Sequence, residues 1–93
     1  MKLQIQSVHF DADQKLLAFA QAKLDKLERF DESIISGDVT MSLDKDNDKG
    51  NKVVNVRLHG GGELFAERRA GSFEQAIDEC TEALKRQIEK NKK

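Results

Sequence analysis

Lys85, Arg86, Lys90, Lys92 and Lys93 crowd the last stretch of the chain against a single acid, Glu89. Side chains of this type, brought to one surface, bind phosphate by charge-assisted contacts; they break no bonds. The 93-residue chain carries a formal net charge of −1. General attraction to nucleic acid is therefore not expected, and any affinity must come from a local, salt-sensitive patch. A second set of cations, Lys15, Lys23, Lys26 and Arg29, lies in an earlier helical segment. At 100° per residue Lys15, Lys26 and Arg29 fall on one flank, with Lys23 at the edge of the apolar stripe. Asp25 and Glu28 fall on the other flank.

The remaining reactive side chains do not form sites. The run Asp44-Lys45-Asp46-Asn47-Asp48-Lys49-Gly50 resembles a calcium loop, but Lys49 stands where an EF-hand needs glycine and Asn55 where it needs a bidentate glutamate. A solvated turn is expected over 44–51. His9 and His59 lack neighbours at metal-ligand spacing. Cys80 falls on an apolar stripe, as a small buried hydrophobe would, with no base at helical spacing. Gly60-Gly61-Gly62 is not followed by Gly-Lys-Ser/Thr, so a reversal that uses glycine's positive φ is expected there and not a phosphate cradle. Arg68 and Arg69 precede a helix start and could hold an anion at its free N–H groups. No nucleophile–base pair, cofactor motif or small-molecule pocket signal is present, and no enzyme is expected.

Two helices and four strands must position these cations. Leu3 and Ile5 alternate with Gln4 and Gln6, which predicts a strand. Asp13 is the expected N-cap of a helix running to about Phe30, with Leu16, Ala20, Leu24 and Leu27 facing the core. Val39, Met41 and Leu43, then Val54, Val56 and Leu58, predict two more strands. A fourth is expected over 63–69, with either Leu64 and Ala66 or Phe65 facing inward. Ser72 begins a capping box with Gln75, and Phe73, Ile77, Cys80, Leu84 and Ile88 form the stripe of the last helix. Phe10, Phe19, Phe30, Phe65 and Phe73 are expected in or beside the core. That leaves no aromatic platform for single-stranded bases, so phosphate and shape recognition of structured RNA is the better match.

Hydrophobic content of 38% and charged content of 35% suit one domain, 1–93, with one core. Met1–Gln6 has one lysine and no apolar core, so no signal peptide is expected, and no apolar run reaches membrane-spanning length. A lone cysteine fits a reducing compartment. The expected class is α+β, in the order β-α-β-β-β-α: a four-stranded, mostly antiparallel sheet with both helices on one face, like a double-stranded-RNA-binding domain.

In that frame the chain resembles the ribosome hibernation-promoting factors, or ribosome-associated translation inhibitors. The resemblance rests on Lys26-Leu27-Glu28-Arg29-Phe30 closing the first helix, on Phe73-Glu74-Gln75-Ala76-Ile77-Asp78, and on Leu84-Lys85-Arg86-Gln87-Ile88 with Lys90. It implies a cytoplasmic, non-enzymatic factor without cofactor or metal. Its partner would be the small ribosomal subunit, bound through ribosomal RNA in the mRNA and tRNA channel to silence translation in stationary or starved cells. It maps the RNA-binding positions onto Lys23, Lys26, Arg29, Lys85, Arg86 and Lys90. Ala83 departs from the resemblance, since many members carry a basic residue just before the leucine at 84. The chain matches the short form, so any pairing of ribosomes would fall to a separate dimerising factor or surface. Two other readings of the residues stand beside this one. Glu74, Asp78, Glu79 and Glu82 followed by cations is also what a helix dipole favours in a plain solvated helix, with Glu82 and Arg86 as an i,i+4 pair. A small protein-interaction module without RNA binding is the alternative function.

Overall fold

The computed structural model describes residues 1–45, 50–60 and 62–91. The middle of the 44–51 turn, Gly61, and the expected terminal cations Lys92 and Lys93 lie outside the described residues. The element order is β1 (Lys2–Val8), α1 (Gln14–Asp25), a 3-10 turn (Lys26–Arg29), β2 (Ser36–Leu43), β3 (Lys52–His59), β4 (Glu63–Ala70) and α2 (Phe73–Asn91). The strands lie in the order β1-β2-β3-β4. β1 runs parallel to β2, and the two later pairs are antiparallel. This is the expected α+β arrangement.

Alternation along the strands sends Val39, Met41, Val54, Val56, Leu58, Leu64, Ala66 and Ala70 to one buried face, where α1 and α2 cover them. Asp13 caps α1, its Oδ1 accepting from Leu16 N at 2.8 Å. Ser72 Oγ accepts from Gln75 N at 3.1 Å and starts α2. Phe73, Ile77, Cys80, Leu84 and Ile88 are all buried. Phe10 lies against Phe73, ring centroids 4.3 Å apart at 14°, and so ties the segment before α1 to the start of α2.

Three local expectations change. The first helix stops being α-helical at Asp25 and tightens into the 3-10 turn; Phe30 N then donates to Leu27 O at 3.0 Å. In β4, Leu64 and Ala66 face inward and Phe65 is 48% exposed, so Phe65 is not a core residue; the Arg57 guanidinium lies 5.4 Å from its ring centroid. Gly60 is required by close approach and not by a positive φ. A Cβ there would stand 2.2 Å from Ser33 O, where the 31–35 segment crosses the end of β3 and Ile35 N donates to His59 O at 2.9 Å.

One position on the outer edge of β4, Phe65, is capped by a side chain of α2. Gln87 on α2 donates from Nε2 to Phe65 O at 2.7 Å, and its Oε1 accepts from Phe65 N at 3.4 Å. The amide occupies the place of a fifth-strand peptide, satisfying an edge that would otherwise present free N–H and C=O groups.

Candidate nucleic-acid interface

The apolar stripes bring α1 and α2 side by side, and a groove of about 210 Å³ forms between them. Lys23, Lys26 and Lys85 line it, with Leu27 and Phe30 as floor and Asp78, Thr81 and Glu82 along the α2 side. Cations from two separate segments therefore converge, although 59 positions separate Lys26 from Lys85. The 3-10 turn contributes directly. With three residues per turn, side chains at i and i+3 eclipse, which stacks Lys26 and Arg29 in one exposed column while Leu27 is buried.

Acids that could quench this surface are partly drawn elsewhere. Asp25 accepts from the Met1 ammonium at 3.1 Å and from Gln21 Nε2 at 2.8 Å, and Glu28 also pairs with the Met1 ammonium. The anionic flank of the first helix is thus engaged at its own side. Lys23 is the exception among the cations: its Nζ lies 2.7 Å from Asp78 Oδ1. Lys26, Arg29, Lys85, Arg86 and Lys90 make no ion pair among the described residues. The i,i+4 pair expected between Glu82 and Arg86 is likewise not formed among them. Lys85 is half-buried, its Nζ 5.1 Å from the Phe30 ring centroid, so the aromatic ring positions the ammonium without neutralising it.

Arg86 lines a second groove, of about 330 Å³, on the other side of α2. There it meets Arg68 of β4, with Ala83 between them and Asp78, Glu79 and Glu82 along the helix. The six expected RNA-binding residues are therefore divided. Lys23, Lys26 and Lys85 share the first groove; Arg86 is in the second; Arg29 and Lys90 are exposed and line neither.

Arg68 is the cation whose place sequence reasoning left open beyond its nearness to the last helix. It does not stand with Arg69 at the start of α2. Arg69 pairs with Asp44 at 3.1 Å, while Arg68 faces the α2 groove and donates from Nη1 to Glu67 O at 2.7 Å. The signal was present: Arg68 has the same parity as Leu64, Ala66 and Ala70, so once those face inward Arg68 must point to the helix side. It remains exposed because β4 is an edge strand. Ala83, where the resemblance leads one to expect a cation, is buried at 9% exposure and leaves the space that Arg68 borders.

Cys80 lies beneath this second groove. Burial pushes its thiol up from 9.0 to about 11, against a smaller opposing influence from Arg68, and its Sγ lies 3.4 Å from Val54 O. The thiol is neutral, buried and structural. Among the described residues no group of His, Cys, Asp and Glu could hold a metal ion, and no helix is long and apolar enough to cross a membrane.

A family model described as sigma 54 modulation protein / S30EA ribosomal protein matches residues 3–93. The fold is similar to the N-terminal domain of Thermus thermophilus Protein Y, with a TM-score of 0.83 at 18% identity, covering 97% of this chain and 98% of that one. It is also similar to a ribosomal subunit interface protein from Coxiella burnetii, with a TM-score of 0.87 at 18% identity, covering 99% and 98%. Among curated protein sequences, none matches this chain.

Proposed function

Because the chain belongs to the sigma 54 modulation protein / S30EA ribosomal protein family, we propose that it is a cytoplasmic ribosome-hibernation factor that binds the small subunit through ribosomal RNA, occupies the mRNA and tRNA channel, and holds translation off under starvation. Family membership supports association with the ribosome. The observation that supports RNA as the contacted surface is the groove in which Lys23, Lys26 and Lys85 converge, with Arg86 in the neighbouring groove across α2 and Arg29 and Lys90 exposed.

The reading requires no chemistry beyond electrostatics. Ammonium and guanidinium groups held on two packed helices displace counterions from phosphates. Helix packing holds the surface in shape before binding, so little ordering cost opposes association. No covalent step is needed and no enzymatic activity is assigned. The aromatic side chains on this surface, Phe19 and Phe30, are partly buried with lysine ammonium groups near their rings, which suits backbone and shape recognition over base stacking.

Sedimentation of the protein with purified small subunits at two salt concentrations tests this. Co-sedimentation at physiological salt that weakens steeply as salt rises is expected. Protein left free at physiological salt would refute it, and binding to ribosomal protein alone, indifferent to salt, would favour a protein-interaction module.

A further inference from the structure

The cationic surface is interrupted down its middle. Asp78 and Glu82, one helical turn apart on α2, line both grooves, so they stand on the crest between them. On one side of the crest lie Lys23, Lys26 and Lys85; on the other lie Arg68 and Arg86. Across the helix the order is therefore cation, carboxylate, cation. A phosphate resting on the crest would meet like charge and two acceptors with nothing to donate. The crest needs a ligand group that donates hydrogen bonds, flanked on both sides by anions.

Thr81 reinforces this. Its hydroxyl donates to Ile77 O at 2.8 Å, so the oxygen presents only lone pairs to the first groove. Asp78 is held by Lys23, whereas Glu82 is exposed and makes no ion pair among the described residues. Glu82 is thus the acceptor available to a ligand.

We propose that the crest of α2 reads ribose: it lies along the shallow minor groove of double-helical RNA, where Glu82 accepts from 2′-hydroxyl groups while Lys26 and Lys85 on one side and Arg68 with Arg86 on the other hold phosphates of the two strands. The A-form minor groove is wide and shallow and displays 2′-hydroxyls between two phosphate backbones. An α-helix with its side chains is about 10–12 Å across, so cations on its two flanks straddle such a groove. DNA offers no 2′-hydroxyl, and a single strand offers no second backbone for Arg68. The inference rests on the RNA-binding reading above and adds to it a phosphate contact, Arg68, and a donor-reading residue, Glu82.

Fluorescence anisotropy with the whole protein tests it, using three duplexes of one sequence and length: RNA, RNA carrying 2′-fluoro at every ribose, and DNA. The 2′-fluoro duplex keeps the A-form and the phosphates but cannot donate. RNA is expected to bind about fivefold tighter than the 2′-fluoro duplex, as suits one hydrogen bond to a charged acceptor at a solvated site. Glu82→Ala should remove that preference by weakening RNA alone, with Glu82→Gln intermediate because its amide oxygen still accepts. Arg68→Ala should weaken both A-form duplexes equally and lower the salt slope by about one unit. Thermal melting of each variant establishes that it is folded. Equal affinity for the RNA and 2′-fluoro duplexes, tighter binding of all duplexes by Glu82→Ala, or equal binding of single-stranded RNA would each overturn the proposal. Wild-type protein that co-sediments with small subunits yet shows no 2′-hydroxyl preference loses only this inference. Protein that discriminates the duplexes yet fails to co-sediment loses only the ribosomal role.

Discussion

The two faces of this molecule carry similar kinds of side chain and arrange them differently. On the open face of the sheet, several polar side chains meet one another. His59 Nε2 lies 2.9 Å from Asp38 Oδ2, with Glu63 on the other ring nitrogen, and Arg69 reaches Asp44 at 3.1 Å. Arg57 lies over Phe65. On the helix face most cations stay uncommitted. The difference comes from geometry. Antiparallel register sets side chains of neighbouring strands about 5 Å apart, as with His59 opposite Glu63, so groups on the sheet can reach partners on the next strand, although Lys2 and Arg57 form no ion pair among the described residues. Two helices joined by a groove keep their outer side chains apart.

The strongest way to break this comparison is charge reversal. Lys26→Glu, Arg86→Glu and Lys90→Glu together should abolish co-sedimentation with small subunits at physiological salt. The salt slope of any residual binding should fall by about three units. Reversal of Lys2, Arg57 and Arg69 on the sheet face should change binding less than twofold. Equal losses from both sets would show that total charge matters and not its placement. Leu84→Ala removes a fully buried side chain that supports both faces, and should cost about 2–5 kcal/mol in urea denaturation while leaving the salt slope of the folded fraction unchanged. Gln87→Ala opens the β4 edge where the two faces meet. A loss of about 1 kcal/mol is expected, with concentration-dependent association detectable by light scattering as the edge seeks a partner.

A further effect is a pH dependence confined to alkaline solution. Cys80 is held up at about 11 in the fold against an ordinary 9.0. The folded state therefore keeps its thiol proton where the unfolded chain releases it. That contribution is complete below pH 9 and is lost as pH rises through 11, which thermal melts across pH 8–11 would follow. At pH 8 alkylation should be slow and should track global unfolding; rapid labelling of the native protein would show that the second groove opens to the core.

Much of this was written in local patterns. Asp13 and Ser72 cap the helices they were expected to cap, because a side-chain oxygen beside free N–H groups needs only its own few neighbours. The apolar stripe of α2 and the alternation in β2 and β3 follow from the periods of helix and strand, which are local as well. Where local signals compete, the outcome needed the neighbours. The 63–69 segment allowed either register until Ala66 and Ala70 packed beneath α2, and that choice exposed Phe65 and turned Arg68 toward Arg86. Glu82 and Arg86 had suitable spacing for an ion pair, yet Arg86 lines the groove beside β4.

By itself, then, the order of residues determined the elements, their caps, their buried stripes and the existence of two cationic helix segments, since each depends on periodicity within one stretch of chain. Tertiary structure alone decided which cation is paired, Lys23 with Asp78, and which cations stand together, Lys26 with Lys85 and Arg68 with Arg86. Those pairings depend on how two helices and an edge strand are set against one another, and the packing of a shared core, not any short-range preference, sets that arrangement.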